Sequence, residues 1–337
     1  MSELIETRQP DDDPALRPKT FAEFVGQDPV RDLLQISVSS AKARKELSID
    51  HVILYGPPGL GKTTLANILA LEFGTRAHIL SSPAIQRVGD LAAVMVSMGE
   101  GDVLFLDEIH RLPAVVCELI YGAMEDFRLD ILAGAGNSTQ IVHIPLPRFT
   151  LLGATTKPGQ IPRPLRDRFG IDVSLQLYGV ADLTFIVERS ARLLKVNIPR
   201  DVATLVAQRS RGTPRVANRL LRRLRDYALH DLGKTVEIDD FAFDCMEIEK
   251  SVAEDAFNFL GIDEHGLTSR DRKYLSCVQS FHRPVGIKTI SSILGEDVTS
   301  IEEDIEPWLI RQKFIEKSPS GRITGPNFDL IFNALNL

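Results

Sequence analysis

Residues 51–73 read HVILYGPPGLGKTTLANILALEF, and this stretch decides the fold class. A short apolar run, then glycines and prolines, then a longer apolar segment predict a buried strand, a tight loop and a helix. Two further apolar runs, DVLFLDEIH at 102–110 and RFTLLGATT at 148–156, have the composition of buried parallel strands. Strands that alternate with helical segments in this way predict a doubly wound α/β domain with a parallel sheet.

The loop between the first strand and its helix matches G-x-x-x-x-G-K-[ST] at every fixed position. Its glycines let backbone N–H groups turn inward around a triphosphate, at a helix N-terminus that favours anions. Lys62 is predicted to reach the β- and γ-phosphates, Thr63 to hold Mg²⁺ and Thr64 to add a phosphate contact. A chance glycine turn is the alternative, which the flanking strand and helix disfavour. The loop residues assigned to the nucleotide are Gly56, Gly59, Leu60, Gly61, Lys62, Thr63 and Thr64.

Two carboxylates, Asp107 and Glu108, close the second apolar run. Asp107 can join Thr63 in the Mg²⁺ shell, and Glu108 can orient or deprotonate the attacking water. A surface carboxylate pair is the usual explanation of an Asp-Glu dipeptide, but the phosphate loop upstream favours the catalytic explanation. Hydrolysis, as opposed to nucleotide binding alone, depends on Glu108.

Polar and basic residues follow the third strand. Thr156 is predicted to contact the γ-phosphate or align the water at the sheet edge where ligands bind, and a strand-end cap is the alternative for Thr155-Thr156. The arginines of PLRDRFG at 164–170 form a surface salt-bridge cluster or supply an arginine to a neighbouring subunit's phosphoryl group. Arg215 begins a basic helix whose other arginines we interpret as a solvated face, and its position lets it reach back to a phosphate.

Length and composition limit the remaining possibilities. A chain of 337 residues is too long for one ordinary core and predicts two or three domains. The net charge of −7 disfavours a protein that coats nucleic acid through its overall field. The 3 cysteines never form a CxxC pair, which disfavours zinc and a disulfide framework and fits a reducing cytosol. An acidic start and no apolar run of about 20 residues predict a cytoplasmic protein without signal peptide or membrane span.

The pattern of elements predicts three domains after a polar arm. Residues 182–250 show helical periodicity without strand-like runs, and from Thr268 three helices precede two short strands around a Pro-Ser-Gly turn, as in a winged helix. Near the start, Asp28-Pro29 predicts a helix N-terminus with Asp28 as N-cap. The predicted divisions are a flexible arm at 1–15, an α/β domain at 16–178, an all-α domain at 179–250 and a winged-helix head at 251–337.

Taken in order, these motifs resemble the RuvB family of AAA+ ATPases, the motors of bacterial Holliday-junction branch migration. A phosphate loop and an Asp-Glu pair fit any AAA+ ATPase, whereas the spacing of GATT and PLRDRFG, the MEDFRLDI segment and the winged-helix tail narrow the resemblance to this family. It implies ATP and Mg²⁺ as cofactors, a homohexameric ring and translocation on duplex DNA. The matching segments, between about Leu16 and Arg322, are LRPKTFAEFVGQ, GPPGLGKTTLA, FLDEIHRL, MEDFRLDILAGAG, FTLLGATT, PLRDRFG, RGTPRVANRLLRR and GRITGPNF.

Several roles follow from the resemblance alone. It implies that Arg168 acts in trans as an arginine finger, that Thr156 is the sensor on the strand, and that Arg215 is the second sensor, in the helical lid. The hairpin-like segment at 128–147 is implied to contact the partner RuvA, and RuvC is implied in the resolving complex. The other residues placed at the nucleotide are Leu16 and Arg17, which line the adenine pocket, Tyr178, which packs on the base, and Glu125, Asp126 and Phe127.

The resemblance also places DNA contacts in the C-terminal wing, at Lys317 and Arg322. An arginine is usual at the first position, and lysine keeps its charge but loses the planar fork. The helix before the wing opens with the carboxylates of Glu302, Glu303, Asp304 and Glu306, which are expected to repel the phosphate backbone. We therefore predict that the wing holds DNA through sequence-independent phosphate contacts and that this helix does not read bases.

Three other functions fit the sequence less well. Clamp-loader subunits share the loop and the lid but usually lack a winged-helix tail. A non-hydrolysing ATP switch would not need Glu108 and Arg168. A protein-unfolding ATPase would carry an aromatic pore loop, and residues 75–105 contain none of that type.

Overall fold

The computed structural model describes residues 13–133, 140–232 and 247–332. Contacts between residues divide the chain into two compact units. The first contains residues 1–182 together with Thr213–Arg215, and the second contains residues 183–212 and 216–337.

A five-stranded parallel sheet forms the centre of the first unit, as the sequence predicts. Its strands are β1 (Val52–Tyr55), β2 (Ala77–Ser81), β3 (Val103–Asp107), β6 (Thr150–Thr155) and β7 (Ile171–Ser174), in the order β2-β3-β6-β1-β7. The helices of this unit are α1 (Asp28–Ala43), α2 (Lys62–Phe73), α3 (Val88–Ser97), α4 (Ala114–Asp126) and α5 (Arg163–Arg166). Every residue of β1 and β6 is buried, which explains why these runs are apolar without alternation.

The register of the sheet brings three strand ends together. Leu54 of β1 lies beside Ala154 of β6, and Leu106 of β3 lies beside Gly153. Because parallel strands end at the same edge, the phosphate loop after β1, Asp107 at the end of β3 and the threonines at the end of β6 share the carboxyl edge.

A hairpin interrupts the chain between α4 and β6. Strands β4 (Arg128–Ala133) and β5 (Gln140–Pro145) pair antiparallel, with Ala133 opposite Gln140. The GAGN turn that the sequence predicts at the tip lies outside the described residues. Ile141 and Val142 of β5 are exposed.

The start of the first unit corrects the sequence prediction at one residue, the N-cap of α1. Residues 1–12 of the predicted arm lie outside the described part, and Pro14–Leu16 forms a 3-10 turn capped by Asp13. The prediction that Asp28 is the N-cap of α1 is wrong by one residue, because Gln27 holds that position in the left-handed region, with φ 53°. The side chain of Gln27 is occupied elsewhere, since its amide donates to Gln176 O at 2.6 Å and accepts from Gln176 N at 3.0 Å.

The second unit is helical at its start and ends in a winged helix. Helices α6 (Val180–Leu193, whose first turn belongs to the first unit), α7 (Arg200–Arg209) and α8 (Pro214–Leu232) match the periodicity read from the sequence. Helices at Lys250–Phe259, Ser269–Ser280 and Ile287–Leu294 follow. The strands β8 (Ile315–Ser318) and β9 (Gly321–Thr324) form the wing, and a short helix covers Asp329–Phe332.

The helix before the wing, which we call the acidic helix, runs through residues 298–311. It contains a π-helical segment at Ile301–Ile305 and continues as Glu306–Arg311. Pro307 lacks the N–H that an α-helical bond requires, which accounts for the irregular turn before it. Its apolar residues Ile301, Ile305 and Leu309 are buried in the core of the winged helix.

Candidate nucleotide site and wing

The phosphate loop has a backbone that favours glycine at three positions. Gly56, Gly59 and Gly61 have φ values of 140°, 81° and 97°. At Gly61, a Cβ atom would also lie 3.0 Å from the ring of Phe24, which is buried. The loop therefore keeps its amides facing the N-terminus of α2 only with glycine at these positions.

Lys62 lies at the base of this loop with 7% of its surface exposed. Its Nζ donates to Gly56 O at 2.7 Å and to Pro57 O at 2.9 Å. Burial lowers the pKa of Lys62, Asp107 and Glu108 raise it, and Arg215 lowers it further. The ammonium thus lies within the electrostatic reach of three predicted site residues.

The next two residues of α2 carry the predicted hydroxyl contacts. Thr63 is half-buried and Thr64 is buried in the first turn of the helix. A hydroxyl at Thr63 and a carboxylate at Asp107 are hard oxygen donors of the kind that Mg²⁺ prefers, with phosphates and waters completing its shell. Within the described residues, no group of three or more His, Cys, Asp or Glu forms a metal cluster, which is compatible with that mode of binding.

The two carboxylates follow β3 directly. Glu108 has a left-handed backbone, with φ 53°, and its N–H donates to Asp107 Oδ1 at 3.0 Å. Its side chain lies 3.4 Å from His110 Nε2, measured from Oε2. Asp107 therefore accepts from the backbone of the turn, whereas the Glu108 carboxylate contacts His110.

The threonines after β6 lie in different surroundings. Thr155 is fully buried, and its hydroxyl lies 2.9 Å from His110 Nδ1 and accepts from Lys157 N at 3.0 Å. Thr156 is half-buried and leads away from the strand. Thr155 is thus held within the fold, while Thr156 remains the candidate sensor.

Arg215 reaches the phosphate loop from the start of α8. Its N–H lies 3.5 Å from Gly59 O, and a Cβ atom at Gly59 would lie 2.9 Å from the Cβ of Arg215. Close packing of these two backbones therefore brings the predicted second sensor to the loop.

Two of the residues predicted to contact the adenine base are buried, and one of them, Tyr178, contacts the phosphate loop. Leu16 is 4% exposed and Tyr178 is 8% exposed. The hydroxyl of Tyr178 donates to Leu60 O at 3.4 Å, and burial raises the pKa of Tyr178 above its ordinary value. Arg17 directly follows the Pro14–Leu16 turn and is half-buried.

Arg168 and residues 125–127 lie away from the phosphate loop. Arg168 forms an ion pair with Glu125 at 3.1 Å, and its guanidinium lies 4.6 Å from the ring centroid of Tyr121. Residues 125–127 lie at the C-terminal end of α4, and Arg168 precedes β7, which places them at the amino edge of the sheet, opposite the phosphate loop.

Asp126 and Phe127, which follow Glu125, also have their contacts away from the phosphate loop. The ring of Phe127 packs edge-on against Phe149 at 5.8 Å, and Asp126 pairs with Arg128 at 3.1 Å. In one subunit, the structure therefore does not bring Glu125, Asp126, Phe127 or Arg168 to its own phosphate loop.

Comparisons with known proteins identify the family of this chain. Family models described as the Holliday junction DNA helicase RuvB P-loop domain, the RuvB AAA lid domain and the RuvB C-terminal winged helix domain match residues 16–175, 178–263 and 264–327. The chain is 46% identical over 310 residues to the Holliday junction branch migration complex subunit RuvB of Trichormus variabilis, covering 91% of this chain and 81% of that protein. The chain belongs to the RuvB family.

Solved RuvB structures have the same architecture. The structure described as Thermotoga maritima RuvB Holliday junction branch migration motor gives a TM-score of 0.80 at 39% identity, covering 95% of this chain and 98% of that one. The AAA domain of FIGL-1 in complex with ADP, at 18% identity and a TM-score of 0.52, shows the shared fold alone. As a RuvB-family member, this chain is a nucleotide-binding AAA+ ATPase of the branch-migration type with a winged-helix domain.

The RuvB-type wing holds its two predicted DNA contacts in an ion-pair cluster. Lys317 and Arg322 face each other across β8 and β9. Lys317 Nζ lies 2.6 Å from Glu306 Oε2, and Arg322 Nε lies 2.8 Å from Glu306 Oε1. Arg322 also bonds Glu302 at 2.7 Å, and only 12% of its side chain is exposed. Both cations of the wing are therefore already paired with carboxylates of the acidic helix.

The expectation that Glu306 belongs to a repulsive acidic face is wrong. Its side chain is fully buried, and it accepts a hydrogen bond from the hydroxyl of Tyr274 at 2.9 Å in addition to its two cations. Burial alone raises the pKa of Glu306, but hydrogen bonds from Arg322, Lys317 and Tyr274 outweigh it, so the pKa is lowered. The carboxylate is buried because these partners keep it ionised.

Sequence reasoning missed several residues that shape the RuvB-type site. Phe24 supports the loop at Gly61, Gln27 ties the start of α1 to Gln176, and His110 joins Glu108 to Thr155. The FLDEIHRL motif contains a signal for His110, because a polar residue two positions after the predicted catalytic glutamate can lie beside it. Phe24 and Gln27 carry no comparable signal, since their contacts are distant in sequence.

Proposed function

We propose that this chain is an ATP-dependent DNA motor that drives Holliday-junction branch migration with RuvA in recombination and repair. One observation carries the proposal. Lys62, the Asp107-Glu108 turn and the end of β6 meet at the carboxyl edge of one sheet, with Arg215 packed on the loop. This is the set of groups that binding and hydrolysis of a nucleoside triphosphate require.

Each residue has a defined task in the proposed reaction. The loop amides and Lys62 hold the β- and γ-phosphates, and Arg215 contacts the phosphates from the lid. Thr63 and Asp107 would hold Mg²⁺, which when bound neutralises charge developing on the phosphate oxygens. Glu108 orients the attacking water and accepts its proton, while Thr156 aligns that water or contacts the γ-phosphate.

The base of the nucleotide is proposed to lie against a separate surface. The burial of Leu16 and Tyr178, and the contact of Tyr178 with the loop, support an apolar adenine pocket to which Arg17 contributes. ATP is the nucleotide that we assign to it.

Arg168 is proposed to act on the nucleotide of a neighbouring subunit. The separation of Arg168 from the phosphate loop of its own chain supports this proposal, because the two lie at opposite ends of the strands of one sheet. In a ring of identical subunits, head-to-tail contacts bring opposite faces of neighbours together. We therefore propose a homohexamer in which Arg168, with residues 125–127 beside it, completes the site of the next subunit.

We propose three macromolecular partners for the motor. Duplex DNA is held without sequence preference by the wing, and RuvA binds the hairpin at 128–147. The exposure of Ile141 and Val142 on β5, at 60% and 43%, supports a protein contact there. RuvC is proposed as a further partner in the resolving complex.

The proposal includes a location and a domain division. We place the protein in the cytoplasm; among the described residues, no helix is long and apolar enough to cross a membrane. We also propose that residues 16–178, 179–250 and 251–337 act as the ATPase domain, the lid and the DNA-binding head.

Phosphate release on a four-way junction tests this function. ATP turnover should rise when junction DNA and RuvA are present together, more than with either one alone, and fluorescently labelled junctions should be converted to branch-migrated products. A protein that binds ATP but shows no turnover under all four conditions would instead be a nucleotide switch. Turnover that needs primer-template DNA in place of a junction would point to clamp loading.

A further inference from the structure

A chain of polar contacts connects the proposed catalytic glutamate to the sensor strand. Glu108 Oε2 lies 3.4 Å from His110 Nε2, and His110 Nδ1 lies 2.9 Å from Thr155 Oγ1. Thr155 Oγ1 in turn accepts from the N–H of Lys157 at 3.0 Å. This series of contacts therefore links the end of β3 to the end of β6, where it involves Thr155 and Lys157, the residues before and after Thr156.

The contacts of the imidazole select one tautomer. Burial lowers the pKa of His110, whose side chain is 3% exposed, so the ring is neutral at physiological pH. If Nδ1 carried the proton, the Nε2 lone pair would face the Glu108 carboxylate. With the proton on Nε2, the ring presents its protonated nitrogen 3.4 Å from Glu108 Oε2, while Nδ1 accepts from the hydroxyl of Thr155.

Glu108 needs such a partner because little else fixes it. It stands in a left-handed turn, and its side chain remains 33% exposed. A glutamate that activates water must hold its carboxylate within a few tenths of an ångström of the productive position. Its turn fixes the backbone, and the buried imidazole is the group that restrains the carboxylate.

We propose that His110 is a positioning residue that orients the Glu108 carboxylate and couples it to the strand end that carries Thr156. This inference rests on the proposed water-activating role of Glu108. Movement of Thr156 toward a γ-phosphate shifts Thr155 and Lys157, and the imidazole transmits this shift to Glu108. The carboxylate is then aligned for hydrolysis when the triphosphate is bound.

Two substitutions separate positioning of Glu108 from simple packing. His110→Gln keeps a donor near the place of Nε2, whereas His110→Asn keeps a polar group near Nδ1 and is too short to reach Glu108. Positioning predicts that His110→Asn and His110→Ala lower kcat by about 10- to 100-fold, with the Kd for ATP nearly unchanged. His110→Gln should recover much of that loss.

His78→Gln is the matched control. His78 also bonds a carboxylate, with Nε2 2.8 Å from Asp102 Oδ2, but this pair lies at the amino edge of the sheet. Its kcat should stay within about twofold of the parent. Far-ultraviolet circular dichroism and the melting temperature of every variant check that each one is folded.

The outcomes distinguish this inference from the proposed function. Equal losses for His110→Gln and His110→Asn, or parental kcat in both, would overturn the positioning role. Glu108→Gln is measured in parallel, and its parental turnover would overturn the proposed function itself. In the double variant Glu108→Gln with His110→Ala, positioning predicts no loss beyond that of Glu108→Gln, and an additional loss would show that His110 acts by another route.

Discussion

At the scale of single residues, Gly59 is the position where backbone and side-chain requirements coincide. Its φ of 81° is one that other residues adopt only with strain, and an added methyl group would lie 2.9 Å from the Cβ of Arg215. Gly59→Ala should therefore displace Arg215 from the loop and lower both ATP affinity and turnover. We expect a loss of about tenfold or more in kcat/KM, from a strain of roughly 1–3 kcal/mol.

Gly159→Ala gives the control for that prediction. Gly159 lies in the same unit, and a Cβ atom there would have no neighbour within 4 Å. Steady-state ATP hydrolysis and equilibrium binding of a fluorescent ATP analogue should match the parent for this variant. Parental values for Gly59→Ala as well would mean that Arg215 does not need its observed contact with the loop.

The sequence reveals residues whose role follows from local pattern, and it misses those whose role depends on distant partners. Lys62, Asp107 and Glu108 were predictable because each lies at a fixed place in a strand-loop or strand-turn motif. Glu306 was assigned to a solvated acidic face because its neighbours are acidic. Its burial depends on Tyr274 and Arg322, which are far from it along the chain and adjacent only in the folded wing.

At the scale of elements, Glu306 makes the stability of the wing depend on pH. The pKa of Glu306 is lower in the folded state than in the unfolded state. Its contribution to the free energy of unfolding is therefore complete above the unfolded-state pKa of about 4.3, and it is lost as the pH falls through the folded-state pKa. The single tryptophan, Trp308, lies beside it in the acidic helix and reports unfolding of this region. When the pH is lowered past about 4.3, the denaturant concentration at the midpoint of unfolding, followed by Trp308 fluorescence, should therefore decrease.

Glu306→Gln should remove this part of the pH dependence. Near neutral pH it should also cost roughly 3 kcal/mol, because the cluster loses its buried carboxylate and Arg322 keeps only the half-exposed Glu302 as its charged partner. Glu316→Gln, on the exposed side of β8, is the control and should leave the pH profile unchanged. An identical acid transition in the parent and in Glu306→Gln would assign that transition to other carboxylates.

The same ion-pair cluster predicts that DNA phosphates compete with carboxylates of the protein for the cations of the wing. Glu302 is 43% exposed and bonds Arg322, with Lys317 3.8 Å away, so DNA phosphates must compete with its carboxylate for both cations. Glu302→Gln should tighten binding to duplex DNA by roughly threefold and give a steeper dependence on salt. Fluorescence anisotropy over a series of salt concentrations measures both effects.

Glu303→Gln is the control for that prediction because it changes the net charge equally on the same helix. A similar gain in affinity from both variants would show that the effect is one of net charge and not of release of the wing cations. The two strands of the wing were predictable from the sequence, but the ion pairs of Lys317 and Arg322 were not. These ion pairs depend on which carboxylates the fold brings beside the two cations.

At the scale of the whole molecule, the proposed role of Arg168 would make the assembly the unit of activity. Arg168 and the phosphate loop lie at opposite edges of one sheet, so under this proposal each chain contributes one half to each of two sites. Arg168→Ala should bind ATP nearly as the parent does and lose about 10³- to 10⁵-fold in turnover. Lys62→Ala should be inactive for a different reason, the loss of phosphate binding.

Mixing the two inactive variants tests the shared site directly. In mixed rings, an Arg168→Ala subunit supplies an intact loop and a Lys62→Ala neighbour supplies the arginine, so roughly a quarter of the sites should be restored. A mixture of Lys62→Ala with Glu108→Gln should regain nothing, because both changes damage the loop side of the site. Phosphate release from the first mixture but not the second would establish an arginine acting in trans. If both mixtures stayed inactive although size-exclusion chromatography showed that the rings exchange subunits, Arg168 would have to act within its own chain.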